Sequence, residues 1–161
     1  MIIRQANEDD WDHIFPFFSV IVDAGETYAY PQGPSKEIAH SLWMVQPPGF
    51  TVVAEKEGVV LGSATMGPNR PGRGAHVATA SFMVSPDHQG HGVGTALGKY
   101  VVNWARENGF HSIQFNAVVA TNHAAVHLWQ SLGFEILATV PEAFDHPDHG
   151  LVGLHVMYLS L

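Results

Sequence analysis

The sequence contains no cysteine, so the fold has no disulfide and the chain supplies no thiol for catalysis. Basic residues are also scarce: 7 Lys and Arg stand against 15 Asp and Glu, which gives a formal net charge of −8. Binding to nucleic acid depends on clustered Lys and Arg side chains. This charge balance therefore argues against a nucleic-acid partner.

Long apolar runs are missing too. No run approaches the roughly 20 residues that a membrane-spanning helix needs, and residues 1–5 lack the charged start and apolar block of a signal peptide. The 161 residues, 46% hydrophobic and 14% charged, suffice to bury a core as one domain over residues 1–161. We therefore expect a cytoplasmic protein that does not contact a membrane.

Glycine is concentrated in one place. Residues 89–95, with the sequence Gln-Gly-His-Gly-Val-Gly-Thr, follow an apolar run and precede a stretch with helical spacing of apolar residues. Glycine lacks the Cβ that blocks close approach, and the start of a helix has unpaired N–H groups at its positive dipole end. The pattern predicts an anion site, most often for phosphate, although an ordinary glycine-rich turn has the same composition.

Apolar periodicity and turn residues predict seven strands and four helices. The predicted strands cover residues 1–6, 50–56, 59–66, 76–84, 110–118, 134–140 and 151–159. The helices begin near Asn7, Ser35, Val93 and Thr121, and the first should kink or break at Pro16. Residues 141–150 are expected to form a loop. This order predicts an α/β fold: a mixed sheet of about seven strands with helices on its faces, and a parallel strand–helix–strand unit around the glycines.

Two blocks of the sequence resemble motifs of the Gcn5-related N-acetyltransferases, the GNAT superfamily. Gln89, Gly92 and Gly94 match the Gln/Arg-x-x-Gly-x-Gly/Ala loop of that family. The block from Asn122 to residues 128–134 is similar to its Asn-x-x-Ala…Leu-Tyr-x-x-x-Gly-Phe segment. The order of elements also agrees along nearly the whole chain. The resemblance implies the GNAT fold, with splayed central parallel strands, in a single N-acetyltransferase domain.

The resemblance also implies acetyl-CoA as the acetyl donor. The loop N–H groups would bind its pyrophosphate, and the end of the preceding strand would pair with its pantetheine arm. A backbone N–H near Met83 or Val84 would stabilise the thioester oxygen, and Asn122 would bond to the pantetheine. The residues assigned to the donor are Phe82, Met83, Val84, Gln89, Gly90, His91, Gly92, Val93, Gly94, Thr95, Asn122 and Trp129.

The eleven histidines raise the question of a metal ion. His123 and His127 are spaced to share one face of a predicted helix. However, no Glu lies between them, and the chain has no cysteine to complete a site. We therefore expect no metal.

Two positions depart from the family pattern. Trp129 stands where the family often has a tyrosine that protonates the departing thiolate, and an indole N–H is only a donor. Water, Tyr100 or Tyr158 are the alternatives. The usual glutamate base is also missing from the strand before the loop, which offers His76, Thr79 and Ser81 instead. His76 has a suitable intrinsic pKa, but it could equally be an ordinary surface residue, and a water relay or an acceptor arriving as the free amine would need no base.

The acceptor side resembles a subgroup that acts on proline analogues or small amino acids. Asn116, which follows Phe115 and precedes Asn122 by six residues, would bind the acceptor amino acid, although it could also be a structural amide. The loop with Glu26, Tyr28 and Tyr30 is interpreted as pocket lining, or else as a cover over the core.

The resemblance thus implies acetyl transfer to a primary or secondary amine of a small metabolite by direct attack in a ternary complex. The alternatives are a protein or polyamine acetyltransferase and a non-catalytic acetyl-CoA sensor. Homodimers are common among similar proteins, but the sequence itself does not specify an oligomeric state.

Overall fold

One seven-stranded sheet organises the chain in the computed structural model, which describes all 161 residues. The strands are β1 (Ile2–Gln5), β2 (Phe50–Lys56), β3 (Val59–Pro68), β4 (Val77–Val84), β5 (Ser112–Val119), β6 (Glu135–His146) and β7 (Gly150–Ser160). The helices are α1 (Trp11–Ala24), α2 (Lys36–Trp43), α3 (Val93–Glu107) and α4 (His123–Ser131). The predicted number and order of elements are confirmed. No helix is both long and apolar enough to cross a membrane.

The sheet is mixed, with the strand order β1-β2-β3-β4-β5-β7-β6. All neighbouring strands are antiparallel except β4 and β5, which are parallel and are connected through α3. The predicted parallel unit around the glycine loop is therefore confirmed.

The parallel pair separates almost as soon as it forms. β4 and β5 are paired only at Val77 with Ser112 and at Ala78 with Ile113. Farther along β5, its pairing with β7 shifts between Phe115 and Val118. The sheet is thus open at its centre, as the resemblance implies.

Helices cover both faces of the sheet. Val52 and Val53 are neighbours on β2, so their side chains point to opposite faces. Val52 belongs to a core cluster with Leu97 of α3, whereas Val53 belongs to a second cluster with Phe18 of α1 and Trp43 of α2. The two clusters therefore hold the helices on opposite faces of the sheet.

The predicted loop over residues 141–150 is wrong in its first part. β6 continues to His146, and Phe144 pairs with Val152 of β7. Pro141 cannot donate a hydrogen bond to the ladder, but β6 is an edge strand and its pairing is interrupted around this residue. An edge strand with a bulge tolerates the proline that would end a central strand.

The predicted break in the first helix is also wrong, because α1 runs unbroken through Pro16. The proline ring removes only the bond that an N–H at this position would donate to the Asp12 carbonyl. The neighbouring side chains of Ile14, Phe17 and Phe18 are buried and hold both halves of the helix on the sheet.

An ion cluster fixes the start of the chain on the sheet. The Arg4 guanidinium donates two hydrogen bonds to the buried Asp10 carboxylate, at 2.7 and 2.8 Å, and one to Glu55 at 2.9 Å. Asp10 also accepts a bond of 2.8 Å from the Asn7 N–H, in the capping box that begins the turn before α1. The hydrogen bonds from Arg4 hold the pKa of Asp10 below its ordinary value.

We predict that Arg4→Gln lowers the free energy of unfolding at pH 7 by about 1.5 to 3 kcal/mol, because a buried carboxylate loses its charged partner. Since the pKa of Asp10 is lower in the folded state, this stabilisation is full above the unfolded pKa of about 3.9 and disappears as pH falls through the folded pKa. Denaturant unfolding at several pH values measures both effects. Arg73→Gln, at an exposed arginine without an ion pair, is the control. Equal stability of the Arg4 variant and the wild type at pH 7 would contradict the prediction.

Candidate functional site

A cavity of about 790 Å³ lies where β4 and β5 separate. Both strands, the loop after α1 and the helix α4 contribute to its wall. The cavity is lined by all four residues predicted for the acceptor, by one considered for catalysis and by several predicted for the donor: Glu26, Tyr28, Tyr30, Asn116, Thr79, Phe82, Gln89, Asn122 and Trp129. The fold therefore brings together residues that are far apart in the sequence.

The backbone of β4 presents alternate residues to this cavity. The Tyr28 hydroxyl donates to the Phe82 carbonyl at 2.5 Å and accepts from the Phe82 N–H at 2.9 Å, so both groups point away from β3. In an antiparallel ladder this direction alternates, so the N–H of Met83 points to its partner Ser63 on β3, and that of Val84 points to the cavity side. The Met83 N–H is thus the wrong choice of the two predicted donors. The Val84 N–H remains a candidate for stabilising the thioester oxygen, and the Phe82 N–H becomes a second candidate.

Tyr28 is held firmly in this position. Its ring stacks on Tyr30 at 5.5 Å between ring centroids and meets the edge of Trp43 at 6.1 Å. Burial raises the pKa of Tyr28 well above its ordinary value, so the side chain is a neutral phenol that both donates and accepts. The loop after α1 therefore does more than cover the core, because the hydroxyl of its Tyr28 bonds to β4 where that strand separates from β5.

The glycine loop lies at the end of the cavity, with Gln89 in the lining. Gly90 and Gly92 both have φ +77°, a backbone conformation that L residues with side chains rarely adopt, and a Cβ on either would meet only open space. No side chain caps the start of α3, and its first helical bond runs from the Ala96 N–H to the Gly92 carbonyl. The N–H groups of residues 93–95 are therefore free of helical partners and suit an anion.

Gly94 has a different role from its neighbours. A Cβ there would lie 3.4 Å from Leu128 on α4 and 3.7 Å from Val84 on β4. Both distances are ordinary van der Waals contacts, so a methyl group fits here, and a longer side chain would meet α4 or β4. Gly98, which the sequence did not single out, is tighter: Trp129 lies only 2.9 Å from its ideal Cβ, so the missing side chain is what allows α3 to pack against α4 there.

Trp129 forms an aromatic wall of the cavity. Its ring lies 4.5 Å from Phe82 and 4.9 Å from Phe115, measured between centroids, and the residue is 6% exposed. On its other side the ring lies against Gly98 of α3, where a Cβ would be only 2.9 Å from it. An apolar surface thus replaces the phenol that the family often has.

Three residues considered for proton transfer lie outside the cavity. Tyr100 packs on the core from α3, Tyr158 lies on β7, and neither lines the cavity wall. His76 is exposed before β4, where its ring lies 6.2 Å from that of His111. Of the residues considered for proton transfer, Thr79 and Ser81 are the ones that line the cavity.

Two asparagines of the cavity have fixed orientations. The Asn122 Oδ1 accepts from the Ala125 N–H at 3.2 Å and so caps α4, which leaves its Nδ2 without a partner in the protein. The Asn116 Oδ1 accepts from Gln114 Nε2 at 3.0 Å, and its Nδ2 donates to Asn69 Oδ1 at 2.7 Å. Gln114 and Asn116 alternate along β5, but nothing in the sequence points to Asn69.

Histidine is also present away from the cavity, at the turn between β6 and β7, where the rings of His146 and His149 are 4.6 Å apart. No group of three His, Cys, Asp or Glu side chains in the structure is arranged to hold a metal ion.

Comparison with known proteins gives consistent relationships. The structure of a GCN5-related N-acetyltransferase from Kribbella flavida is similar to that of this chain, with a TM-score of 0.95 and 57% identity over 99% of this chain and 97% of that one. The structure of yncA from Salmonella typhimurium, a putative acetyltransferase with its cofactor acetyl-CoA, has a TM-score of 0.83 and 27% identity over 100% of this chain and 94% of that one.

Among curated relatives, the L-amino acid N-acyltransferase MnaT of Escherichia coli strain K12 is 40% identical over 96 residues, which are 58% of this chain and 55% of MnaT. The chain spans between half and two thirds of the length of the first curated relatives it matches. The model of the acetyltransferase (GNAT) family matches residues 9–134. The chain belongs to the GNAT family of acetyltransferases.

Proposed function

We propose that the protein transfers the acetyl group of acetyl-CoA to the primary or secondary amine of a small metabolite, an amino acid or a related compound. The observation that carries this proposal is the common cavity, in which an open strand backbone, a free helix N-terminus nearby and the predicted acceptor residues meet. The L-amino acid N-acyltransferase activity of MnaT supports the acceptor part of the proposal, and the acetyl-CoA in the yncA structure supports the donor part.

The donor side is built largely from main-chain groups. The N–H groups around Gly90, Gly92 and the first turn of α3 would hold the pyrophosphate without a nearby cluster of basic side chains. The outward-facing carbonyl of Phe82 and the outward-facing groups of Val84 would pair with the pantetheine arm as an added strand does. The free Nδ2 of Asn122 would donate to the same arm.

The reaction requires an uncharged amine nitrogen, which attacks the thioester carbonyl carbon as the C–S bond breaks and coenzyme A leaves as its thiolate. The N–H of Phe82, once it is released from the Tyr28 hydroxyl, would stabilise the negative charge that forms on the carbonyl oxygen. The amine proton would pass to water, or to the Glu26 carboxylate at the cavity wall. Water would protonate the thiolate, since the raised pKa of Tyr28 makes that phenol a poor acid.

A non-catalytic sensor of acetyl-CoA is the second candidate. It is favoured by Trp129 in place of the tyrosine and by Thr79 in a strand that lacks the usual glutamate. The cavity holds acceptor-side groups as well as donor-side groups, which a sensor of the donor alone does not require.

The decisive experiment measures coenzyme A release with acetyl-CoA and a panel of amines: amino acids, proline analogues, methionine derivatives, polyamines and a lysine peptide. We expect turnover with small amines of the amino-acid type. Turnover on the polyamines or the peptide alone would replace the small-metabolite proposal. Tight acetyl-CoA binding in calorimetry without turnover on any amine would favour the sensor.

A variant of Tyr28 tests the assigned position of the donor. The Tyr28 hydroxyl occupies both outward-facing groups of Phe82, so the donor must displace it. We predict that Tyr28→Phe tightens acetyl-CoA binding by about fivefold, since a net hydrogen bond of about 1 kcal/mol no longer competes. Calorimetry measures the dissociation constant, and Tyr100→Phe, outside the cavity, is the control. Weaker binding by the Tyr28 variant would show that the hydroxyl supports the donor instead.

A further inference from the structure

The cavity wall carries negative charge and no positive charge. Glu26 is the only Asp, Glu, Lys, Arg or His among the residues that line the cavity. The chain as a whole carries a formal charge of −8, so no distant excess of basic residues offsets this carboxylate. An ammonium group is therefore favoured in the cavity, and a second carboxylate has no cation to meet it there.

The amide of Asn116 lines the cavity, and two amides outside the lining, Gln114 and Asn69, orient it. Gln114 occupies the Oδ1 of Asn116, and one N–H of the Asn116 amide bonds to Asn69. The second N–H of Asn116 has no partner in the protein, and neither has the Nδ2 of Asn69. These hydrogen bonds orient the Asn116 side chain and leave one of its N–H groups free to donate to an oxygen of the acceptor.

A neutral carbonyl oxygen suits this donor better than a carboxylate does. Proteins usually bind carboxylates through arginine, often with two parallel hydrogen bonds. A carboxylate that enters a cavity without a cation loses hydration that a neutral amide N–H does not replace, and Glu26 would repel it. A neutral carbonyl loses much less hydration and still accepts the bond from Asn116.

The remainder of the acceptor would meet an apolar surface. Val20 and Ile21 of α1 line the cavity, together with Phe144 of β6 and Leu154 of β7. An acceptor with an apolar side chain would therefore find apolar wall within the same cavity. The cavity wall thus suits a small molecule that carries an amine, a hydrogen-bond acceptor and an apolar group.

We infer that the preferred acceptor is an α-amino amide with an apolar side chain, in which the carbonyl beside the amine is neutral, rather than a free amino acid. This inference rests on the proposed function and narrows its substrate class. Two sources share the chemistry: amino acid amides and the first residue of a short peptide. Glu26 would attract the ammonium form before it loses its proton, and Asn116 would bond to the carbonyl.

The test compares L-methioninamide, L-methionine and methionylglycinamide as acceptors for the full chain with saturating acetyl-CoA. Amidation lowers the pKa of the amine, so kcat/KM is calculated per concentration of unprotonated amine from measurements between pH 8 and 10. We expect a preference of about fivefold for methioninamide over methionine, since Glu26 and Asn116 are both exposed and solvent screens the repulsion. Activity with methionylglycinamide at the level of methioninamide would assign the peptide source, and activity with methioninamide alone would assign the free amide.

Two variants identify the cause of the preference. Glu26→Gln removes the charge that repels a carboxylate, so the ratio of kcat/KM between methioninamide and methionine should fall severalfold. Arg70→Gln alters an exposed arginine beside Asn69 that does not line the cavity, and it should leave the ratio unchanged. A selective loss of methionine turnover in the Arg70 variant would show that this arginine binds the carboxylate, and would overturn the inference.

The failure of this inference is distinguishable from failure of the proposed function. Equal or better turnover of methionine overturns the amide preference, while the proposed acetyl transfer to small amines stands. Absence of turnover with all three acceptors and with the wider amine panel, in a protein that binds acetyl-CoA, overturns both together.

Discussion

The end of pairing between β4 and β5 after Ala78 is the constraint on which the site depends. Strand backbone that loses its neighbour must find other hydrogen-bond partners. The N–H and carbonyl of Phe82 bond to the Tyr28 hydroxyl, and this contact holds the loop after α1 at the opening. On the other side, the shifted pairing of β5 near Asn116 completes the cavity wall. One interruption of the sheet thus accounts for the opening and for the residues that gather around it.

Some of the glycines around this opening serve packing against aromatic residues, whereas others expose main-chain groups. Gly98 lets α3 and α4 come together beside Trp129, whose ring packs on Phe82. Gly92 instead begins α3 with exposed N–H groups. The proposed donor site therefore depends mainly on main-chain groups that survive changes of side chain, which explains how an acidic protein with few basic residues could bind a polyanion.

Local patterns predict most of the fold, but the direction of individual groups depends on pairing across the sheet. The glycine loop and the neighbouring strand and helix are contiguous in sequence, so their order could be predicted. The sequence could not show that the N–H of Phe82, and not that of Met83, faces the cavity. A shift of one residue in the β3–β4 register reverses the direction of every N–H along β4. The contact between Asn69 and Asn116 joins residues 47 positions apart, and no local pattern encodes it.

Amide hydrogen exchange followed by NMR tests the central claim that the outward-facing groups of β4 receive the donor. On addition of acetyl-CoA, we predict that the Val84 amide becomes strongly protected and that the Phe82 amide stays protected as its partner changes from Tyr28 to the donor. The Met83 amide, bonded to β3, should be protected equally with and without the donor. Unchanged exchange at Val84 in the saturated complex would contradict the account.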